Sequence, residues 1–193
     1  MGEQELHTDG DDARSAPETS TPAIPEPSAQ SGSSTSNDAP SLADLLSPAS
    51  ICLNATAQDW RDAVRTSGTL LAASGCTTEA YTDQMIAAVE RFGPYIVIAP
   101  GLALAHAQAS DEVHRTGMSW LTLSDPVSFG HPDNDPVFLV IGLAATDHEA
   151  HMTALQQLAM LLGEPSARAA LDAATTPDAL LDTITRLVGK KDS

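Results

Sequence analysis

The ten residues PVFLVIGLAA, positions 136–145, constrain the fold more than any other stretch of this chain. They are apolar without alternation. A strand with one wet face alternates apolar and polar side chains, and a run this continuous does not. The segment therefore reads as a strand buried on both faces, and its sheet needs helices on both sides. The next four residues, Thr146-Asp147-His148-Glu149, have the T-x-x-E form of a capping box. Met152, Leu155, Leu158/Ala159 and Leu162 then recur at helical spacing, and Gly163 ends that helix.

The same reading extends to the rest of residues 41–193. Ser41 opens S-L-A-D, a cap for a short helix over 41–46. Thr56 precedes Q-D-W, after which Trp60, Ala63/Val64, Ser67 and Leu70/Leu71 mark a helix that stops at Gly75. A second helix starts near Thr77/Thr78 and puts Tyr81, Met85, Ala88/Val89 and Phe92 on one face, with Gly93-Pro94 as its stop. Residues 95–99, YIVIA, form a β-branched run that reads as a strand. Pro100-Gly101 breaks it, and LALAHA continues as a second strand ending near His106. MSWLTL, 118–123, is a third strand, and 133–135 form a turn. Pro165 begins a shorter helix, and Thr176-Pro177-Asp178 begins the last, with Leu180/Leu181, Ile184 and Leu187/Val188 inward. Helices, then strands, then three helices imply one α/β, or α+β, layered domain.

Residues 1–40 differ in kind. They carry eight acids against the single base Arg14 and almost no large apolar groups. Such a segment cannot bury enough surface to offset its ordering entropy, and it reads as a disordered acidic Ser/Thr/Pro-rich tail. The whole chain has a net charge of −17 with only nine Lys and Arg. Clustered cations are what a phosphate backbone or an anionic membrane surface attracts, so neither nucleic acid nor membrane is an expected partner. The N-terminus lacks a basic region followed by an apolar one, and no window reaches the ~18 apolar residues of a membrane span. With Cys52 and Cys76 in no metal-like spacing, the expectation is a cytoplasmic protein with reduced thiols.

Of the six histidines, His7 falls in the tail, and His114 and His131 fall in polar segments. His106 and His151 are the informative pair. His106 ends an apolar strand. His151 lies in the first turns of a helix whose side chains lean back toward its N-terminus, and so toward the strand ends. That helix start also offers unpaired amides and the positive end of a dipole, a ready anion site. A neutral imidazole has one lone pair that can attack phosphorus, and a second imidazole can hold the phosphoryl oxygens. A lone histidine at a strand end is also compatible with a purely structural, hydrogen-bonded role. His148 and His151 lie three apart in H-E-A-H, which is not the i, i+4 pair of zinc proteases, so no metal is expected. No G-x-S-x-G elbow supports a serine hydrolase.

GPYIVIAPGLALAHA, 93–107, resembles the enzyme IIA components of the bacterial sugar phosphotransferase system, in the fructose/mannitol superfamily (EIIA type 2), and looks closest to the ascorbate-type branch. DWRDAV (59–64), GMSWLTLSDPVSFG (117–130) and NDPVFLVIGLAATDHEAHMTALQQLAMLL (134–162) follow in the same order. The resemblance covers residues 41–188. It implies a mannitol-type mixed sheet of about five strands with helices on both faces. It implies His106 as phosphoacceptor, receiving phosphate from the phosphocarrier HPr and passing it to a cysteine of enzyme IIB, and so indirectly serving the membrane enzyme IIC. It implies His151, within D-x-x-x-H, as stabiliser of the phosphoryl group, and it calls for no cofactor.

Two positions depart from the family pattern. Ala105 stands where a proline usually precedes the histidine, which frees φ and restores an N–H. Gln108 stands where an arginine is common, which removes a cation. These departures leave two other readings open. One is a regulatory phosphohistidine module uncoupled from transport, and the other is a binding module with a dead site.

Overall fold

A computed structural model describes residues 40–189, so residues 1–39, with the expected disordered tail, lie outside it. Five strands and five α-helices follow in chain order: β1 (Ile51–Ala55), α1 (Trp60–Ala73), α2 (Ala80–Phe92), β2 (Val97–Ala99), β3 (Leu102–His106), β4 (Gly117–Val127), β5 (Val137–Ala144), α3 (His148–Leu162), α4 (Pro165–Asp172) and α5 (Pro177–Gly189). The strands form one mixed sheet in the order β1-β4-β5-β3-β2. β1 runs parallel to β4 and β3 parallel to β5, while β4–β5 and β2–β3 are antiparallel.

β5 lies at the centre of the sheet, and of its residues only Phe138 is exposed. Its side chains divide between two cores. Leu139, Ile141 and Leu143 join Leu158, Leu161, Leu171, Leu180 and Ile184 from α3, α4 and α5. Val137, Val140 and Ala144 join Ala63, Val64, Leu71, Tyr81, Met85 and Val89 from α1 and α2. The expected helix layers on both faces are therefore present. Gly142 lets α1 sit directly on the strand, because a Cβ there would lie 2.3 Å from Ser119 Oγ and 2.6 Å from Ser67 Oγ. Those two buried hydroxyls hydrogen-bond each other at 2.9 Å.

Several local expectations need correction. Residues 42–45 form turns rather than a helix. The Asp44 carboxylate accepts from both the amide and the hydroxyl of Ser41, a side-chain bond that competes with helix formation. β1 was not anticipated. It is an edge strand interrupted by Asn54 at φ 58°, paired with β4 some seventy residues away. Residues 95 and 96 precede β2 rather than belonging to it. Asp59 and Asp147, not Thr56 and Thr146, cap α1 and α3. Phe92 and Met152, expected inward, are 62% and 51% exposed. The buried stripe of α3 is Ala154, Leu158 and Leu161, with Leu155 and Leu162 at its border.

Candidate functional site

Strand alternation decides where His106 points. Along β3, Leu102 and Leu104 enter the core under α3–α5, while Ala103 and Ala105 enter the core under α1 and α2. His106 continues the first series, so its ring emerges on the α3 side at the end of the strand. On α3 the stripe Ala154, Leu158, Leu161 runs back by one helical step to His151. The two rings meet with centroids 5.3 Å apart and planes at 48°. The strand end and the helix start thus bring together the two histidines singled out in the sequence.

His106 Nδ1 lies 2.9 Å from the carbonyl oxygen of Leu104. A carbonyl only accepts, so Nδ1 carries the proton in this arrangement and Nε2 keeps the lone pair. Tyr95 packs edge-on against the His106 ring at 5.6 Å and 81°, and Phe92 packs edge-on against Tyr95 at 6.1 Å. Burial pushes the Tyr95 phenol above its usual value, so it stays protonated at neutral pH. His151 is held below the ordinary histidine value, first by burial and then by the neighbouring His106 and His148. It is therefore a neutral ring at pH 7.

Both histidines line an open cleft of about 710 Å³. Arg91, near the end of α2, is the one Lys or Arg among its lining residues, and its guanidinium lies 5.0 Å from the Phe92 ring. Gln108 lines the same cleft. Ala105 is fully buried and pairs in register with Gly142 of β5, so the strand runs unbroken into His106 without the usual proline.

At the α3 N-terminus, where the sequence suggests an anion site, Asp147 caps the helix. Asp147 Oδ1 accepts from Ala150 N at 2.8 Å, its other oxygen accepts from the Thr146 hydroxyl, and the Glu149 amide adds a further interaction. These bonds hold the Asp147 carboxyl below its usual value. The remaining described histidines stay apart from the pair or at its edge. His114 is exposed. His131 Nδ1 accepts from the amides of Asp133 and Asn134 in a loop. His148, exposed, lies on the rim of the cleft. Among the described residues no helix is long and apolar enough to cross a membrane.

Sequence reading missed Arg91, Tyr81 and Tyr95 as neighbours of the site. A tyrosine on the buried stripe of α2 was a usable signal, because a buried phenol needs a partner for its hydroxyl. Nothing in the local sequence marks Arg91, which shares the cleft with His106 only through tertiary packing.

This mixed sheet with helices on both faces is the fold of the mannitol-type IIA proteins. The solution structure of the mannitol-specific cryptic phosphotransferase enzyme IIA from Escherichia coli matches with TM-score 0.66 and 34% identity, over 75% of this chain and 98% of that one. The IIA chain in the complex of enzyme IIA mannitol with phosphorylated enzyme IIB mannitol, also from Escherichia coli, matches with TM-score 0.63 and 27% identity, over 72% of this chain and 96% of that one. Residues 44–187 match the family model "Phosphoenolpyruvate-dependent sugar phosphotransferase system, EIIA 2", and the chain belongs to that family. It is similar to the ascorbate-specific phosphotransferase-system EIIA component of Escherichia coli (strain K12), at 39% identity over 138 residues, 71% of this chain and 90% of that protein. The protein is thus an EIIA component of a sugar phosphotransferase system, and its activity is phosphoryl transfer.

Proposed function

We propose that His106 is the phosphoacceptor and that its Nε2 is the attacking nitrogen. The observation that carries this reading is the Nδ1 contact to Leu104 O at 2.9 Å, which leaves Nε2 as the free lone pair beside His151. The donor is a phosphohistidine of the phosphocarrier HPr. The Nε2 lone pair attacks phosphorus, and the donor's N–P bond breaks with its electron pair returning to the donor ring. The new N–P bond forms on His106, and Nδ1 keeps its proton. In the second half, a cysteine thiolate of enzyme IIB attacks the same phosphorus, and the N–P pair returns to Nε2. Both transfers ask for in-line positioning and charge stabilisation, with little other chemistry.

His151 serves the transferred group. At pH 7 it is neutral, held below the ordinary histidine value first by burial. An arriving phosphoryl group brings negative charge next to this ring and favours its protonated form. The ring then donates to a phosphoryl oxygen with a charge-assisted bond. Arg91 supplies the cation that Gln108 does not. The open cleft, rimmed by Phe92 and Tyr95, admits a macromolecular partner to within reach of Nε2. Two similarities support enzyme IIB as acceptor and an ascorbate-like substrate for the membrane partner: the IIA–IIB complex and the ascorbate-specific relative.

The test is a reconstituted relay of phosphoenolpyruvate, enzyme I, HPr and this chain, read by intact mass. The expected result is an acid-labile gain of ~80 Da in the wild type, absent in His106→Ala. Full phosphorylation of His106→Ala refutes the assignment.

A further inference from the structure

The strand pairing of β3 with β5 ends at His106 opposite Leu143. What holds the chain immediately beyond it is not the sheet but the phenol of Tyr81. This side chain enters from α2, on the opposite face from His151, and is fully buried. Its hydroxyl accepts from Ala107 N at 3.1 Å. The same oxygen lies 3.0 Å from Leu143 O and 3.1 Å from Ala107 O, the acceptors available to its one proton. The phenol therefore ties the residue after His106 to the residue paired with His106. It extends the ladder by one rung where no strand residue is left to do so.

We infer that Tyr81 is the positioning residue for His106, and that its hydroxyl fixes the backbone from which the imidazole is aimed. The inference rests on the reading of His106 as phosphoacceptor. Among the described residues the one hydrogen bond made by the ring itself is Nδ1 to Leu104 O, two residues back along the same strand; Tyr95 and His151 touch it by packing alone. The direction of the Cα–Cβ bond at 106 must then be set by the peptides on either side. On the N-terminal side stands Ala105, which lacks the fixed φ of a proline. On the C-terminal side stands the Ala107 amide, bonded to Tyr81. The Tyr95 hydroxyl, at 3.4 Å from His106 O, is a long and weak alternative. Tyr81 does not line the cleft, and its hydroxyl reaches peptide groups only, so it acts through His106 rather than on phosphorus. Burial raises its pKa, which keeps the hydroxyl protonated and able to donate.

Tyr81→Phe keeps the ring and deletes the oxygen. With phospho-HPr as donor, it should lower kcat about tenfold with KM within about twofold, the pattern of a misaimed nucleophile. Ser119→Ala is the matched control. It also deletes a buried hydroxyl, one that donates to Ser67 O at 2.9 Å on the α1 side, and it should leave kcat unchanged. Equal kcat in Tyr81→Phe and wild type, or an equal loss in Ser119→Ala, overturns the inference. If the wild type accepts no phosphate, the His106 reading fails, and two measurements without a donor still decide the role of Tyr81. One is the His106 Nδ1–H resonance in the unphosphorylated chain, which should shift and broaden in Tyr81→Phe and would refute the role by staying unchanged. The other uses wild type alone: the Ala107 amide should exchange with solvent about a hundredfold slower than an open loop amide, and free exchange refutes the bond.

Discussion

Gly68 is the position where the packing beneath the site can be tested most sharply. It lies inside α1 and is buried against α2. A Cβ at this position would lie 2.2 Å from Thr82 Oγ1, 2.6 Å from Thr82 Cγ2 and 2.8 Å from Thr82 Cβ. Rotating the threonine can move the first two atoms, but its Cβ is fixed to the α2 backbone. Ordinary carbon contacts lie near ~3.5–4.0 Å, so the helices must separate by most of an ångström. Two effects oppose each other in Gly68→Ala. Helix propensity favours alanine by about 0.8–1.0 kcal/mol. Overpacking a close contact costs about 1–3 kcal/mol, and a clash onto backbone-fixed atoms belongs at the upper end. The net expectation is a loss of about 1–2 kcal/mol. Urea unfolding followed by circular dichroism reads it as a lower midpoint at unchanged slope. Thr82→Ala in the Gly68→Ala background should recover part of the loss, because it removes the two nearest atoms. Since α2 carries Tyr81 and Arg91, Gly68→Ala should also slow phosphorylation in the relay. A variant as stable as wild type or more so would refute the close helix contact and the packing argument built on it.

Other expectations concern the site and its helix. His151 resists protonation in the folded chain, whereas the unfolded chain takes up a proton at the ordinary value of 6.5. Stability should therefore fall as pH drops through that range, and the loss should be complete below the folded value. His151→Gln should remove its share of that slope in urea titrations, and an unchanged slope contradicts the burial of His151. Arg91→Gln should lower kcat/KM for the phosphodonor about tenfold at low salt and less at high salt, because an exposed cation is screened. Leu158→Ala, on the buried stripe of α3, should cost about 2–5 kcal/mol in thermal or urea unfolding. Met152→Ala, on the outer side of α3, should stay within about 0.5 kcal/mol, and equal losses would place the stripe wrongly.

What the sequence made legible followed from burial. β5 stood out because a strand covered on both faces needs no polar alternation. The meeting of His106 with His151 followed from the end of one apolar strand and the start of the helix after another. β1 was invisible because its partner is distant in sequence and Asn54 interrupts its pattern. Ser41 looked like a helix cap, but its S-x-x-D pattern closes a turn when the carboxylate bonds Ser41 itself. The outward turn of Phe92 and Met152 reflects how little a stripe read from spacing fixes at helix ends: Phe92 lines the cleft, and Met152 faces outward from α3. The T-x-x-E pattern marked the right helix, yet Asp147 takes the cap. That shift of one residue changes the chemistry of the cleft. It places a carboxylate at the helix terminus, on the lining of the cleft.

The most direct test of the phosphoacceptor is the nitrogen it uses. The chain, labelled with ¹⁵N-histidine and phosphorylated through the relay, can be read by ¹⁵N and ³¹P NMR. Phosphorus is expected on Nε2 of His106, with Nδ1 still carrying its proton toward Leu104 O. Phosphorus on Nδ1 of His106, or on His148 or His151, would contradict it.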